Sequence, residues 1–274
     1  QIIGLMIAEA GSGVIINYAG FKAMGISLGL IAFATIILTP IFIREKKRDI
    51  SVAATVSFTE SMKRTMKNRN FLIYLFSYLT VWFGLNTLTI TMPYISEILL
   101  GKTADHSGIL VAGAFIAALL FSPIIPKLHK RASKKIILFL CSIAFATILA
   151  LTGLFGTVLP YYFSVITVIL AGIPLAVFFV VPNAMVVDIA QQDEMDHGEN
   201  RAGMFFGMQG LIIKIVMGVS SFYTPLLFNL FGYSKTEPLG IQLAGPISAA
   251  FILFGAFILL KYDLKEEELE NMEK

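Results

Sequence analysis

The chain is a succession of apolar runs of about twenty residues, separated by short polar loops. This is the length at which an α-helix crosses a hydrocarbon core of roughly 30 Å. Transmembrane β-barrels instead alternate apolar and polar residues over segments of about ten. Because 57% of the residues are hydrophobic and 14% are charged, a soluble domain would expose large apolar patches. The sequence therefore predicts an all-α polytopic membrane protein.

Eight apolar runs can be marked, at residues 2–19, 21–43, 71–100, 108–126, 136–156, 161–187, 203–231 and 241–260. We expect residues 1–43 to hold the last two helices of one bundle and residues 44–70 to form an amphipathic linker. Residues 71–262 then form a six-helix bundle, and residues 263–274 a charged tail. Because the chain begins inside an apolar run, we expect the other N-terminal helices, about four, to be missing from it.

Lysines and arginines are divided unequally between the two sides of the predicted membrane. If the runs alternate in direction, most of them fall on one side, in the linker, in the loop at 127–135 and in the tail. The other side receives only Lys22, Lys102 and Lys235. Since basic loops stay in the cytoplasm, the sequence predicts a multi-pass protein of the cell membrane with both ends of this chain cytoplasmic.

Lys214 is predicted to lie deep in the membrane. It follows the start of its run by about eleven residues, or about 16 Å, where a lysine costs roughly 2.5 to 3.5 kcal/mol. Small residues share its helical face, namely Gly207, Gly210, Gly218 and Ser221. Lys214 is a candidate for a substrate and cation pathway, and the alternative is a structural pair that locks two helices together. Glu9 is the acidic residue placed similarly inside a run.

The third run carries aromatic and polar residues on one helical face, namely Tyr78, Trp82, Asn86, Thr89 and Pro93. An aromatic ring beside an amide and a hydroxyl suits a sugar, whose apolar face stacks while its hydroxyls form hydrogen bonds. Helix packing with a satisfied asparagine is the alternative. The sequence thus offers Trp82, Asn86 and Thr89 as candidate pathway residues.

Two prolines, Pro174 and Pro182, are expected to interrupt the helix of the sixth run. Each removes a backbone donor and frees a carbonyl that water, protein or ligand must satisfy. Asn183 follows the second proline, so it joins the candidate pathway residues.

The loop between the sixth and seventh runs concentrates charged residues, among them Asp188, Asp193, Glu194, Glu199 and Arg201, with Gly198 between them. The carboxylates are close enough for a metal ion but follow no closed ligand pattern. A cytoplasmic gate is favoured, in which they pair with Arg201 or with the basic loops and separate as two halves of a transporter rock. No metal site is expected. No P-loop motif is present, which argues against direct coupling to ATP.

The segment at 188–207, DIAQQDEMDHGENRAGMFFG, resembles the signature between the tenth and eleventh helices of the glycoside-pentoside-hexuronide:cation symporters. Further matches are KNRNFL at 67–72, MPY at 92–94 and PKLHKRASKK at 126–135. The sequence departs from that pattern at Gln191, Gln192 and Ala202. The resemblance, to the melibiose-permease-like branch of the major facilitator superfamily, implies that the eight runs are helices five to twelve of twelve. It also implies that Lys214 lies near a cation site.

We therefore expect a secondary active transporter and not an enzyme, which symports a sugar or glycoside with Na⁺ or H⁺ by alternating access. Its expected partners are a small-molecule substrate and the lipid bilayer, without nucleic acid or a cofactor beyond the coupling cation, and it is expected to act as a monomer. A lysolipid or another organic solute is an alternative substrate. A sensor on the same fold, or a magnesium-dependent prenyltransferase using Asn183, Asp188 and Asp193, are further alternatives.

Overall fold

The computed structural model describes residues 2–42, 57–103 and 106–264. Apart from an isolated bridge between Phe155 and Leu159, the regular structure in these residues is helical. The chain divides into two compact units, residues 1–55 and 56–274. The predicted helical class is confirmed.

The first unit contains α1 (Ile2–Phe42), which is broken at Gly20. Gly20 has φ 77°, a backbone conformation that glycine adopts without the steric cost borne by other residues. The break separates the first two predicted runs at the expected position. The second segment includes an apolar helix at Lys22–Leu38.

The second unit contains nine further α-helices in the described residues. They are α2 (Phe58–Thr65), α3 (Arg69–Tyr94), α4 (His106–Phe121), α5 (Ile125–His129), α6 (Lys134–Thr152), α7 (Tyr161–Leu170), α8 (Gly172–His197), α9 (Ala202–Phe231) and α10 (Leu239–Leu259). A π-helix at Ile95–Leu99 extends α3, and a 3₁₀ turn at Ser122–Ile124 joins α4 to α5.

Six helical segments of the second unit are long and apolar enough to cross a membrane. They are Arg69–Leu99, His106–His129, Lys134–Thr152, Tyr161–His197, Ala202–Phe231 and Leu239–Leu259. These correspond to the six runs predicted after the linker. Part of that linker forms α2, which lies within the second unit.

Most of the basic residues lie at one end of the bundle, where polar side chains cap the N-termini of α3 and α6. Asn68 accepts a hydrogen bond from the backbone of Phe71 at 3.0 Å, and Ser133 accepts one from the backbone of Ile136 at 3.4 Å. Such caps satisfy donors that the first turn leaves free. We call this end, with α2, the loop at 130–133 and the loop at 198–201, the basic end.

Small residues allow α10 to pack closely against α3 and α6. A Cβ added to Gly255 would lie 2.1 Å from the hydroxyl oxygen of Thr80 on α3. One added to Gly245 would lie 2.0 Å from that of Thr152 on α6. Close packing between transmembrane helices depends on such residues, so α10 holds one side of the bundle together.

Two helices are much less covered than the others. In an apolar 18-residue stretch of the spans formed by α4 and α9, 22% of the residues are buried in each, against 44 to 61% in the other four spans. The described part of the unit therefore leaves one long face of α4 and one of α9 open, and the candidate site lies between them.

Candidate functional site

The predicted face of α3 runs from a buried to an exposed position along the helix. Tyr78 is buried, Trp82 and Asn86 are half-buried, and Thr89 is exposed. We call these four residues the α3 stripe. Asn86 contacts α9, Trp82 contacts α8, and Thr89 lines a space that it shares with α4. The stripe therefore forms the floor of a gap between α4 and α9.

Asn86 joins α3 to α9. Its Nδ2 lies 2.8 Å from Ser220 Oγ, 3.1 Å from Ser221 Oγ and 3.2 Å from the carbonyl oxygen of Met217. An amide nitrogen carries two protons, so these contacts use its donor capacity. Among the described residues no donor contacts the carboxamide oxygen of Asn86, so it can accept from another partner.

Lys214 lies on an exposed strip of small residues, as its sequence spacing predicts. We call Gly207, Gly210, Lys214, Gly218 and Ser221 the α9 strip, and all five are exposed. A Cβ added to any of the three glycines would meet no atom within 4 Å. The sequence predicts that either a closely packed helix or a cavity lies against this strip. Among the described residues, no helix packs against its glycines.

The α9 strip and the α3 stripe border the same gap, because Ser221 belongs to the strip and contacts Asn86. Lys214 is twelve residues into α9 and Trp82 thirteen residues into α3. Both helices start at the basic end, so both side chains are about 18 to 20 Å from it. The other exposed side of α9 is apolar, with Leu211, Ile215, Val219 and Phe222 each more than half exposed. That side suits lipid, and the strip does not.

Aromatic contacts connect the α3 stripe to α8 and α4. The Trp82 ring contacts Phe179 at a centroid distance of 6.4 Å, and Phe179 stacks on Phe115 at 6.3 Å. Asn183 lies one turn after Phe179 and donates to its carbonyl oxygen at 3.0 Å. Asn183 is half-buried and thus lies close to the Trp82 side of the gap.

The two prolines of the sixth run act differently from one another. The helix does break near Pro174, because α7 ends at Leu170 and α8 begins at Gly172. Pro182 was expected to interrupt the helix as well, but α8 continues through it. Pro182 lacks the N–H that would bond to the carbonyl of Phe178, and the hydroxyl of Tyr78 donates to that oxygen instead, at 3.3 Å. Protein, not ligand, satisfies this freed group.

Glu9, the acidic residue placed similarly to Lys214 inside a run, was predicted as a pathway residue. Its backbone belongs to α1, but its side chain lies outside the described residues. Within the described residues Lys214 forms no ion pair or hydrogen bond. The place of Glu9 in the pathway stays a prediction.

Asp193 and Arg201 form a buried ion pair at the basic end. Arg201 Nη2 lies 2.6 and 2.7 Å from the two carboxylate oxygens and Nε lies 2.9 Å from one of them. The side chains are 3% and 5% exposed. His197 Nδ1 lies 3.4 Å from the same carboxylate. The pair closes the turn between α8 and α9, where Gly198 caps α8 in the left-handed conformation at φ 71°.

Three other polar contacts lie at the basic end. Lys134 at the start of α6 pairs with Asp188 on α8, and both side chains are 14% exposed. Glu199 lies 3.9 Å from Arg64 on α2, and Glu194 accepts from Asn200 at 2.8 Å. The carboxylates thus pair with Arg201 and with a basic loop, within one unit. Their separation during gating stays a prediction.

The same contacts bear on metal binding. Among the described residues, no group of three or more His, Cys, Asp or Glu side chains could hold a metal ion. Asp188 and Asp193, which the prenyltransferase alternative requires as magnesium ligands, are paired with Lys134 and Arg201. This arrangement gives that alternative no support.

Some residues of the site were not predicted. Ser220 is a partner of Asn86 that was not named from the sequence, although it adjoins Ser221, which was; two adjacent serines within an apolar run are a signal that could have identified it. Phe179 and Phe115 link α8 and α4 to Trp82, but phenylalanine is so common in apolar runs that no sequence signal distinguishes them. Lys134 is one of many basic residues in its loop, so its pairing with Asp188 required the structure.

Comparison with known proteins agrees with the predicted resemblance. An uncharacterized symporter of Synechocystis sp. is 24% identical to the chain over 230 residues, which are 78% of this chain and 41% of that protein. The chain thus spans about two fifths of the length of this curated relative. The sequence pattern of the MFS/sugar transport protein family matches residues 2–265, which is most of the chain. The chain therefore belongs to the family of MFS/sugar transport proteins.

Proposed function

We propose that this chain forms part of a secondary active transporter that moves a sugar or glycoside together with Na⁺ or H⁺ by alternating access. The observation that carries the proposal is the gap between α4 and α9, beside which Lys214 lies among exposed glycines near the middle of α9. Family membership and a relative named as a symporter support it. The protein is not expected to be an enzyme.

The position of Lys214 is the main physical argument. A lysine at the centre of a bilayer costs roughly 2.5 to 3.5 kcal/mol even on the more lenient scales. Lys214 has no ion pair in the described residues, and its strip is open. Water, substrate or an acidic group from elsewhere in the protein must therefore offset this cost. Each of these fits a hydrophilic pathway better than a lipid-facing surface.

The neighbouring residues support a polar solute with an apolar face. Trp82 is half-buried, so part of its ring is accessible from the gap. Aromatic rings pack against the apolar faces of sugars, and the free carboxamide oxygen of Asn86 suits a sugar hydroxyl as a hydrogen-bond acceptor. Because the amide protons of Asn86 are used by α9, we assign it as an acceptor and not as a donor.

The coupling cation is proposed to bind near Lys214. Hard cations bind oxygen ligands, carboxylates and backbone carbonyls among them, and an ammonium group beside such a carboxylate would compete with Na⁺ or H⁺ for it. The cytoplasmic orientation of the basic end and location in the cell membrane are part of the same proposal, because basic loops favour the cytoplasm.

Transport by the full-length protein in proteoliposomes tests the proposal. Imposed Na⁺ or H⁺ gradients should drive uptake of radiolabelled sugars or methyl glycosides, and Lys214→Ala should abolish the response to the gradient. Lys235→Ala is the matched control, since Lys235 lies in the exposed loop after α9 and its loss should leave uptake unchanged. Uptake that no gradient accelerates would refute the coupled mechanism. Normal coupled uptake by Lys214→Ala would exclude Lys214 from it.

A further inference from the structure

An apolar niche opens beside Thr89, between α3, α4 and the break that separates α7 from α8. It contains about 380 Å³ of space when the solvent at its open side is counted, of which about 30 Å³ is accessible to the centre of a water-sized sphere. Of the described residues that line it, Thr89 alone is polar. A niche of this composition is unsuited to a sugar ring.

The niche is closed at its inner end and open towards the gap. Met92 and Ala171 at its wall are each 1% exposed, and Leu175 is 4% exposed. Around the mouth, Leu85 and Val111 are half-buried and Thr89 is exposed. The mouth therefore lies on the α3 stripe, one turn beyond Asn86.

Direct helix contacts hold the walls of the niche in place. A Cβ added to Gly172 at the start of α8 would lie 2.2 Å from the carbonyl oxygen of Ala114, so α8 and α4 touch there through their backbones. Phe115 at the niche stacks on Phe179 of α8. The space is thus a formed feature of the bundle and not a loose joint between helices.

We propose that the niche receives a compact apolar substituent of the transported solute, the aryl or short alkyl aglycone of a glycoside, while the sugar lies in the gap near Trp82 and Asn86. This inference rests on the proposed transport function. The Thr89 hydroxyl donates to the carbonyl of Leu85 at 3.0 Å, so its proton is not free for water in the niche. Water gains few hydrogen bonds in such a space, and an apolar group gains by leaving water to enter it.

Inhibition of uptake by a graded series of glycosides tests the inference. The full-length protein in proteoliposomes would take up a radiolabelled methyl glycoside under a cation gradient. Competitors would be the methyl, propyl, butyl, octyl and phenyl β-glycosides of galactose, glucose and xylose. Each buried carbon should lower the inhibition constant by up to about fourfold. The gain should stop at the short chains, because Met92 and Ala171 close the niche.

Substitutions in the niche test whether the preference for apolar aglycones arises there. Ala114→Leu fills the niche and Val111→Phe narrows its mouth, so in each the ratio of the methyl to the phenyl inhibition constant should fall to about one. Ala250→Leu is the control, because it is the same alanine-to-leucine change at an exposed position of α10. It should leave the ratio of the two inhibition constants as it is in the unaltered protein. If Ala114→Leu does not fold, Met92→Ala deepens the niche, and longer alkyl chains should then give the lowest constant.

The possible results separate this inference from the proposed function. Coupled uptake without any preference for apolar aglycones overturns the inference and leaves the function standing. A preference that survives both Ala114→Leu and Val111→Phe also overturns it. A gain that continues without a plateau to octyl places the chain in the bilayer, which rejects the niche. If no glycoside is taken up under either gradient, the function and the inference fail together.

Discussion

The Asp193–Arg201 pair allows a quantitative test of how the basic end is held together. Replacing Asp193 by Asn leaves the guanidinium of Arg201 buried without a countercharge, since both side chains are at most 5% exposed. Breaking one partner of a buried pair typically costs about 3 to 5 kcal/mol. At roughly 2 to 4 °C per kcal/mol for a chain of this size, Asp193→Asn should lower the melting temperature by about 6 to 20 °C.

Thermal unfolding of the purified full-length protein, followed by circular dichroism, measures this effect. The double variant Asp193→Asn with Arg201→Gln removes both charges, so it should be more stable than Asp193→Asn alone. Glu60→Gln is the control, because the Glu60–Arg64 pair is 47% and 39% exposed and surface pairs contribute at most about 1 kcal/mol. A melting temperature for Asp193→Asn within 2 °C or so of the unaltered protein would refute the reasoning.

Two further predictions concern the contacts between helices. Asn86→Ala removes the hydrogen bonds of α3 to Ser220 and Ser221 and should destabilise the protein by about 1 to 3 kcal/mol. Thermal unfolding measures the loss, and Thr89→Ala is the control because the Thr89 hydroxyl bonds within α3. Gly255→Ala should cost about 1 to 3 kcal/mol, because its Cβ would lie 2.1 Å from the Thr80 hydroxyl. The Cβ that Gly207→Ala adds would meet no atom within 4 Å, so this change should cost little stability. A loss as large as that of Gly255→Ala would show that a helix outside the described residues packs on the α9 strip.

The sequence was sufficient to predict the helices because their signal is simple. Hydrophobic length alone marks a membrane span, and each of the six runs after the linker became one span. The break at Gly20 also fell where the run boundary was predicted. The division of the sixth run into two helices was partly predicted. Pro174 correctly indicated the break before α8, whereas the second break expected at Pro182 does not occur.

The candidate site was less predictable from the sequence. Helical spacing placed Trp82, Asn86 and Thr89 on one face, but it could not show that the amide protons of Asn86 are used by Ser220 and Ser221. Nor could it show that Asp193, which lies on the last turns of α8 and not in the predicted loop, pairs with Arg201, since many lysines were equally available to it. Partner choice depends on which helices become neighbours, and a single sequence does not determine this.

The Asp193–Arg201 and Lys134–Asp188 pairs also bear on which contacts could separate during gating. Both pairs join helices of the second unit to one another, so a rocking motion of that unit as a rigid body would carry them along unbroken. The Arg64–Glu199 contact joins the loop before α9 to α2 of the linker and is longer and more exposed. If any of these contacts separates during transport, this third one requires the least rearrangement of the bundle.

The carbonyl freed by Pro182 gives a final prediction. Tyr78→Phe removes the donor that satisfies the Phe178 carbonyl, and leaving a buried acceptor unpaired costs about 1 to 3 kcal/mol. In a Pro182→Ala background, the backbone N–H of residue 182 can bond to the same oxygen, so the further change Tyr78→Phe should cost less than about 1 kcal/mol. Tyr74→Phe is the control, because the Tyr74 hydroxyl is buried with no hydrogen-bond partner among the described residues, so its removal should cost nothing. Equal costs of Tyr78→Phe in the two backgrounds, by thermal unfolding, would mean that the tyrosine does not compensate for the proline.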